Sequence, residues 1–141
     1  MASVDQIRGA IKTTLEANIT SLHGYKYVPE AAHVLPAVVI IPFTADFAQA
    51  MGRGLDEWIF DLLVLVSASD DQVRQAELDS YVTGAGTNSI REVIFNNRTL
   101  GLANTDAYVS EMTEYGMRFP VSEIEHIGAR LKIIVRTIGT S

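Results

Sequence analysis

Residues 56–71 read DEWIFDLLVLVSASDD, and this stretch decides how the chain folds. Side chains alternate across a strand, so Trp58, Phe60, Leu62, Val64 and Val66 share one face, and Glu57, Ile59, Asp61, Leu63, Leu65 and Ser67 share the other. The first face is wholly apolar and belongs on a core. The second is half apolar and carries two carboxylates, too polar for a deep interior and too greasy for plain solvent. Two readings fit it: a sheet surface covered by something else, such as another copy of the chain, or a central strand with a partly wet second face. A helix over 69–82 follows directly. Ser69 and Gln72 have capping-box spacing, and Asp70 and Asp71 lie in the first turn, where the helix dipole favours them.

Upstream, residues 3–22 read as an amphipathic helix with Val4, Ile7, Ile11, Leu15, Ile19 and Leu22 in one stripe. Ser3 with Gln6 forms a capping box at its start, and His23-Gly24 is the expected stop. Residues 25–32, with Pro29, are expected to be a connector. The next strand, 34–43, carries Pro36 and Pro42; proline lacks the ladder donor, so the strand should lie at an edge or contain a bulge. Residues 44–55 then form a long loop into the Trp58 strand. The Asn18-Ile19-Thr20 sequon lies inside the first helix and is discarded as a glycosylation site.

Downstream, Gly84 and Gly86 end the 69–82 helix. Ser89 with Glu92 caps a short helix whose Ile90, Val93 and Ile94 face the core, and Asn96-Asn97 closes it. Two further strands are expected, over 107–115 and 128–138, joined by a second long loop, 116–127. The last strand puts Arg130, Lys132, Ile134 and Arg136 on one face, so these cations are placed to pair with Glu57 and Asp61 across strands. The expected fold is α+β, with element order α-β-β-α-α-β-β. A mostly antiparallel four-stranded sheet carries helices packed on one face, and the whole of 1–141 is one domain.

Composition narrows the function. The chain has 141 residues, 48% of them hydrophobic, which argues against disorder. No apolar run approaches the ~18 residues a membrane span needs. The N-terminus lacks a basic region followed by an apolar run, so no signal peptide is expected. Cysteine is absent, which removes disulfides, thiolate metal sites and cysteine nucleophiles together. A net charge of −6 and the sparse cations Arg130, Lys132 and Arg136 argue against general nucleic-acid binding, which needs a concentrated basic patch.

The sequence offers little catalytic chemistry. His23, His33 and His126 have no metal-ligand spacing. Residues 67–70, Ser-Ala-Ser-Asp, lack the glycine frame of a nucleophile elbow, and Gly84-Ala85-Gly86 lacks the lysine of a phosphate loop. Asp70 and Asp71 are accounted for by helix capping. No catalytic, metal or cofactor-binding residue is expected.

Several features together resemble the tail terminator proteins of long-tailed phages, also called tail-completion or neck ring proteins, especially those of actinobacterial hosts. An N-terminal helix precedes a proline-flanked strand over 36–42, PAVVIIP. The glycine-bearing segment 51–54, MGRG, leads to the aromatic strand with Trp58 and Phe60, which ends in Val66-Ser67. A Ser-Asp helix follows, reaching Leu78, Asp79 and Tyr81. Then come Ser89-Ile90, Thr99-Leu100-Gly101, a strand with Tyr115 and a final strand rich in Ile and Val. The pattern spans nearly the whole chain. It departs at Leu102, where many of these proteins carry a second glycine.

The resemblance implies a structural virion protein assembled in the host cytoplasm and residing in the tail or neck. It would form a homohexameric ring on the head-proximal end of the tail tube, ending tube growth and joining tail to head. Its partners would be other copies of itself, the tail tube protein and the head-closure or connector protein. DNA would pass through the lumen without specific binding, which net negative charge suits. Other readings remain: another neck component such as a head-closure or adaptor protein, a small cytosolic α+β enzyme or ligand-binding domain, and a dimeric interaction module. A ring subunit should have apolar loops and no concave polar pocket, whereas an enzyme should gather titratable groups in one.

The two long loops are the expected contact surfaces. Phe47, Met51, Met117 and Phe119 would be apolar anchors, with Arg53 and Arg118 as polar ones. Loops of about 12 residues are long for a compact domain, and aromatic, Met and Arg side chains are enriched at interfaces. The same residues also suit a role capping the subunit's own sheet. A Met51→Asp, Phe119→Asp double variant separates the two. Loss of assembly with retained fold, read by light scattering and circular dichroism, is the interface outcome, and unfolding places these residues in the core.

Overall fold

The computed structural model describes residues 3–19, 22–25, 36–46, 55–67, 71–102, 104–121 and 124–138. Eight elements follow in chain order: α1 (Val4–Asn18), β1 (His23–Tyr25), β2 (Ala37–Asp46), β3 (Leu55–Ser67), α2 (Asp71–Val82), α3 (Ile90–Asn96), β4 (Thr105–Val121) and β5 (Ile124–Ile138). The strands form one mixed sheet in the order β1-β2-β3-β5-β4. The expected four-stranded, mostly antiparallel sheet is therefore corrected to five strands with one parallel pair, β1 with β2.

The extra strand lies where the sequence suggested only a helix stop. α1 ends at Asn18, and His23–Tyr25 pairs in parallel with Ala37–Val39. Three residues are too few to show a period, so β1 left no pattern to read. Gly24 is needed for close approach: a Cβ there would lie 2.8 Å from the Lys12 Cγ of α1. The two elements are also tied by Glu16, which accepts hydrogen bonds from the Lys12 ammonium at 2.7 Å and the Gly24 N–H at 3.0 Å. Burial pushes the Glu16 pKa up, but the bonds from Lys12 and Gly24 outweigh it and hold the carboxyl below its ordinary value.

The second correction concerns residues 116–127. Most of this stretch is not a loop. β4 runs to Val121 and β5 starts at Ile124, and Met117, Arg118 and Phe119 pair with Gly128, Ile127 and His126. Gly116 looked like the end of a strand because it sits in an irregularity. The register shifts between Thr113 and Met117, where Glu114 and Gly116 both take positive φ, 54° and 75°. A left-handed residue inside a ladder makes a bulge, after which pairing resumes. β2 behaves as its prolines require, with a register shift between Pro42 and Thr44.

Helix ends follow local chemistry. Ser3 and Gln6 form the full capping box, with bonds of 2.8 and 3.2 Å. Ser89 caps α3 by accepting from the Glu92 N–H, but the Glu92 carboxylate accepts from the Gly86 N–H at 2.6 Å, so the reciprocal half of that box is absent. Ser69, the expected cap of α2, lies outside the described residues.

The helices cover one face of the sheet. α1 packs on β1 and β2, α2 on β3 and β5, and α3 on β4. One core joins Ile7, Ile11 and Leu15 of α1 to Phe60, Leu62, Val64 and Val66 of β3 and to Leu131, Ile133 and Val135 of β5. Trp58 is half-buried at its margin, stacked on Phe60 with ring centroids 6.1 Å apart. Because Phe60 is fully buried, Phe60→Ala should cost about 3–5 kcal/mol. A urea melt showing an unchanged midpoint would contradict this packing.

Candidate functional site

The opposite face of the sheet has two halves. Toward β1, Val39, Leu63 and Leu65 are buried within the chain itself, with Tyr25 and Ile41 packed against them. This apolar half needs no second copy of the protein to cover it. Toward β4, the face is a lattice of opposite charges built on the β3–β5 register. Glu57 lies opposite Arg136 and accepts from its Nε at 2.8 Å. Asp61 lies opposite Lys132 but bonds Arg130 at 3.5 Å, and Arg130 also reaches Glu114 at 2.5 Å. Lys132 turns instead to Glu111, at 3.1 Å, and lies 5.5 Å from the Phe43 ring. The expected pairing of Glu57 and Asp61 with cations of the last strand is thus present.

A second cluster wraps the β4 edge. Arg98, in the turn after α3, makes two 2.8 Å bonds to the Asp106 carboxylate, and its backbone carbonyl accepts from the Ala107 N–H at 2.7 Å. The Tyr108 ring lies between Arg98 and Arg136, at 5.9 and 5.7 Å. Hydrogen bonding to Asp106 raises the pKa of Arg98, and hydrogen bonding to Glu57 raises that of Arg136, so both stay cationic. Farther along β4, the Tyr115 hydroxyl donates to Asp79 of α2, which pushes the phenol pKa up.

Of the sequence-predicted contact residues, Phe47, Met51 and Arg53 lie outside the described residues, as does His33. Met117, Arg118 and Phe119 lie on a paired strand rather than a loop. Their side chains lie outside the described ones, among which the exposed large apolar groups are Phe43, Phe95, Met112 and Tyr115. Phe43 occupies the β2 irregularity, beyond the three residues that β1 covers. Met112 and Tyr115 lie on β4, the far strand of the sheet. Sequence signals for two of these existed. Pro42 marks a bulge, which throws the next side chain out of alternation, and Phe95 stands four residues from Arg91 on the polar side of α3.

Two polar clefts of about 490 and 500 Å³ lie between α1 and the α3 region, a feature that a simple ring subunit was not expected to have. Asn18, Asn96 and Asn97 line both, with threonines around them. Their one carboxylate, Glu92, is already held by the Gly86 N–H. Amides and hydroxyls bind by hydrogen bonding but do not move protons near neutral pH. Among the described residues no three His, Asp or Glu side chains are grouped to hold a metal ion.

No protein-family model matches this chain, and no curated protein matches it in sequence. The candidate site therefore rests on geometry: a charged, half-open sheet face with the exposed Phe43 ring over it, and exposed Met112 and Tyr115 on the end strand β4.

The lattice on that face should add little stability, because partly exposed ion pairs are screened. A double-mutant cycle on Glu57→Gln and Arg136→Gln should give a coupling of about 0.2–1 kcal/mol that shrinks with added salt. A coupling several times larger, or one insensitive to salt, would mean that the face is covered in solution.

Proposed function

We propose that this protein is a structural subunit that assembles head to tail into a ring, and that the ring is a tail terminator of a long-tailed phage. The observation that carries the ring is a pair of separate exposed apolar patches, one on the charged sheet face and one where the end strand β4 meets α2. Phe43 of β2 lies over the charged face, 5.5 Å from the Lys132 ammonium, while Met112 and Tyr115 of β4 stand beside Asp79 and Val82 of α2. Isolated in water such groups are sticky, and paired with a neighbour they are buried. Two different patches on a subunit give a heterologous contact, which closes into a ring when the rotation between copies permits. Both edges of the sheet also have open backbone among the described residues: β4 is the end strand, and β1 covers only Ala37–Val39 of β2.

The phage assignment comes from the resemblance in element order and local texture, and the number six comes with it. A conduit for DNA also suits a chain of net charge −6. The two polar clefts between α1 and the α3 region, lined chiefly by Asn and Thr, have Glu92 and Arg98 as their charged side chains, and both are already bonded within the chain, which supports a scaffold over a catalyst.

The purified protein should scatter light with about six times the 15.4 kDa mass of the chain and appear as rings in negative stain. A Phe43→Asp, Met112→Asp variant should keep its circular dichroism and run as a monomer. Wild-type protein at one or two times the chain mass, or rings that survive the double substitution, would overturn the head-to-tail arrangement.

A further inference from the structure

We infer that the cleft across the outer edge of β4, between Phe95 and Tyr108, binds an extended, carboxylate-rich segment of a partner protein. This does not depend on the ring reading. The cleft measures about 260 Å³, and Arg91, Phe95, Arg98, Tyr108 and Val109 line it. Phe95 enters from the helix layer and is 51% exposed, an uncommon state for a phenylalanine that has a core beside it. Tyr108 forms the wall on the side of the opposite sheet face, and Val109 the apolar floor. An apolar side chain of an incoming segment fits between the two rings.

Charge selects the partner. Arg91 lies 5.1 Å from the Phe95 ring, and its one hydrogen bond among the described residues is a long one, 3.4 Å, to the Gly84 carbonyl. No carboxylate pairs with it among the described residues. In a chain with 17 acidic side chains and 11 basic ones, most of the cations described on the neighbouring sheet face are paired, so this arginine stands out. On the opposite rim Arg98 already holds Asp106 and offers a weaker field. A carboxylate arriving at Arg91 gains a charge-assisted bond without displacing a resident acid. Guanidinium on an aromatic ring, next to an apolar pocket, is also the composition found at the energetic centres of protein interfaces.

The backbone favours an extended ligand. The Ala107 N–H is taken by the Arg98 carbonyl, but β4 is the last strand of the sheet and has no further neighbour among the described residues. A segment lying along this edge can add its main chain to the strand while its side chains alternate between cleft and solvent. Nucleic acid is disfavoured. A phosphate chain needs a row of free cations, and here Arg98 already holds Asp106, which leaves Arg91 as the one cleft cation with no carboxylate partner among the described residues. Arg91 and Val109 also line the adjoining cleft that reaches Met112, so the segment lies next to the contact proposed for a neighbouring ring copy.

The test uses a fluorescein-labelled peptide of alternating glutamate and leucine, and the same peptide with lysine for glutamate. Fluorescence anisotropy should rise saturably with the glutamate peptide, weaken with salt, and stay flat with the lysine peptide. Arg91→Glu and Phe95→Ser should each weaken binding about tenfold or more. Arg130→Gln, outside the cleft, should leave it unchanged. Both cleft residues are exposed, and an unchanged thermal melt confirms that those variants are folded. Absence of saturable binding, equal binding of the lysine peptide, or full binding by the Arg91→Glu protein would overturn the proposal. The mass of the protein is read separately, so loss of the ring and loss of the peptide site are distinguishable.

Discussion

The pairing of β3 with β5 sets both faces of this sheet at once. It runs without a register shift from Leu55 opposite Ile138 to Ser67 opposite His126. Because side chains alternate strictly along a strand, one register puts Phe60 beside Ile133 on the core face and Glu57 beside Arg136 on the other. A slip of one residue would drive carboxylates into the core and turn phenylalanine and leucine outward. The hydrophobic penalty for that slip is large, whereas each exposed ion pair is worth little. The apolar face therefore holds the register, and the charge lattice follows from it.

What could be read from the sequence follows the same logic. β3 and α1 announce themselves because long runs of large apolar residues leave one solution for each period. The partners of Glu57 and Asp61 were legible because opposite charges occupy matching faces of two strands. β1 was not legible, since His23, Gly24 and Tyr25 carry no period and the strand exists only because Ala37–Val39 offers it an edge. The outer part of the β4–β5 hairpin was hidden by Gly116 and Pro120, which read as a loop but lie in and beyond a bulge. The second face of β3 was half understood. Its apolar half is buried within one chain, and only its charged half stays open.

The exposed apolar side chains were the least legible. Sequence reasoning sought exposed apolar groups in presumed loops, where length and composition draw the eye. Among the described residues they stand on ordered elements: Phe43 at a strand irregularity, Phe95 on a helix, Met112 and Tyr115 on a paired strand. For Met112 and Tyr115, exposure depends on which strand ends the sheet. That is a property of topology, and topology is the part of a fold that local pattern does not contain.

The strand order also bears on how the protein is made. β5 follows every other described element in the chain, yet it lies inside the sheet, between β3 and β4. While the chain emerges from a ribosome, β3 has β2 on one side and bare backbone on the other, and β4 has no strand to join. Neither the core face nor the charged face is complete until Ile124–Ile138 inserts. Contacts between residues so far apart in sequence form late and slowly. An unfinished chain thus lacks a completed outer edge on β4. Placing β5 in the middle ties the whole sheet to the completion of synthesis: both faces and the β4 edge form only in a chain translated through Ile138.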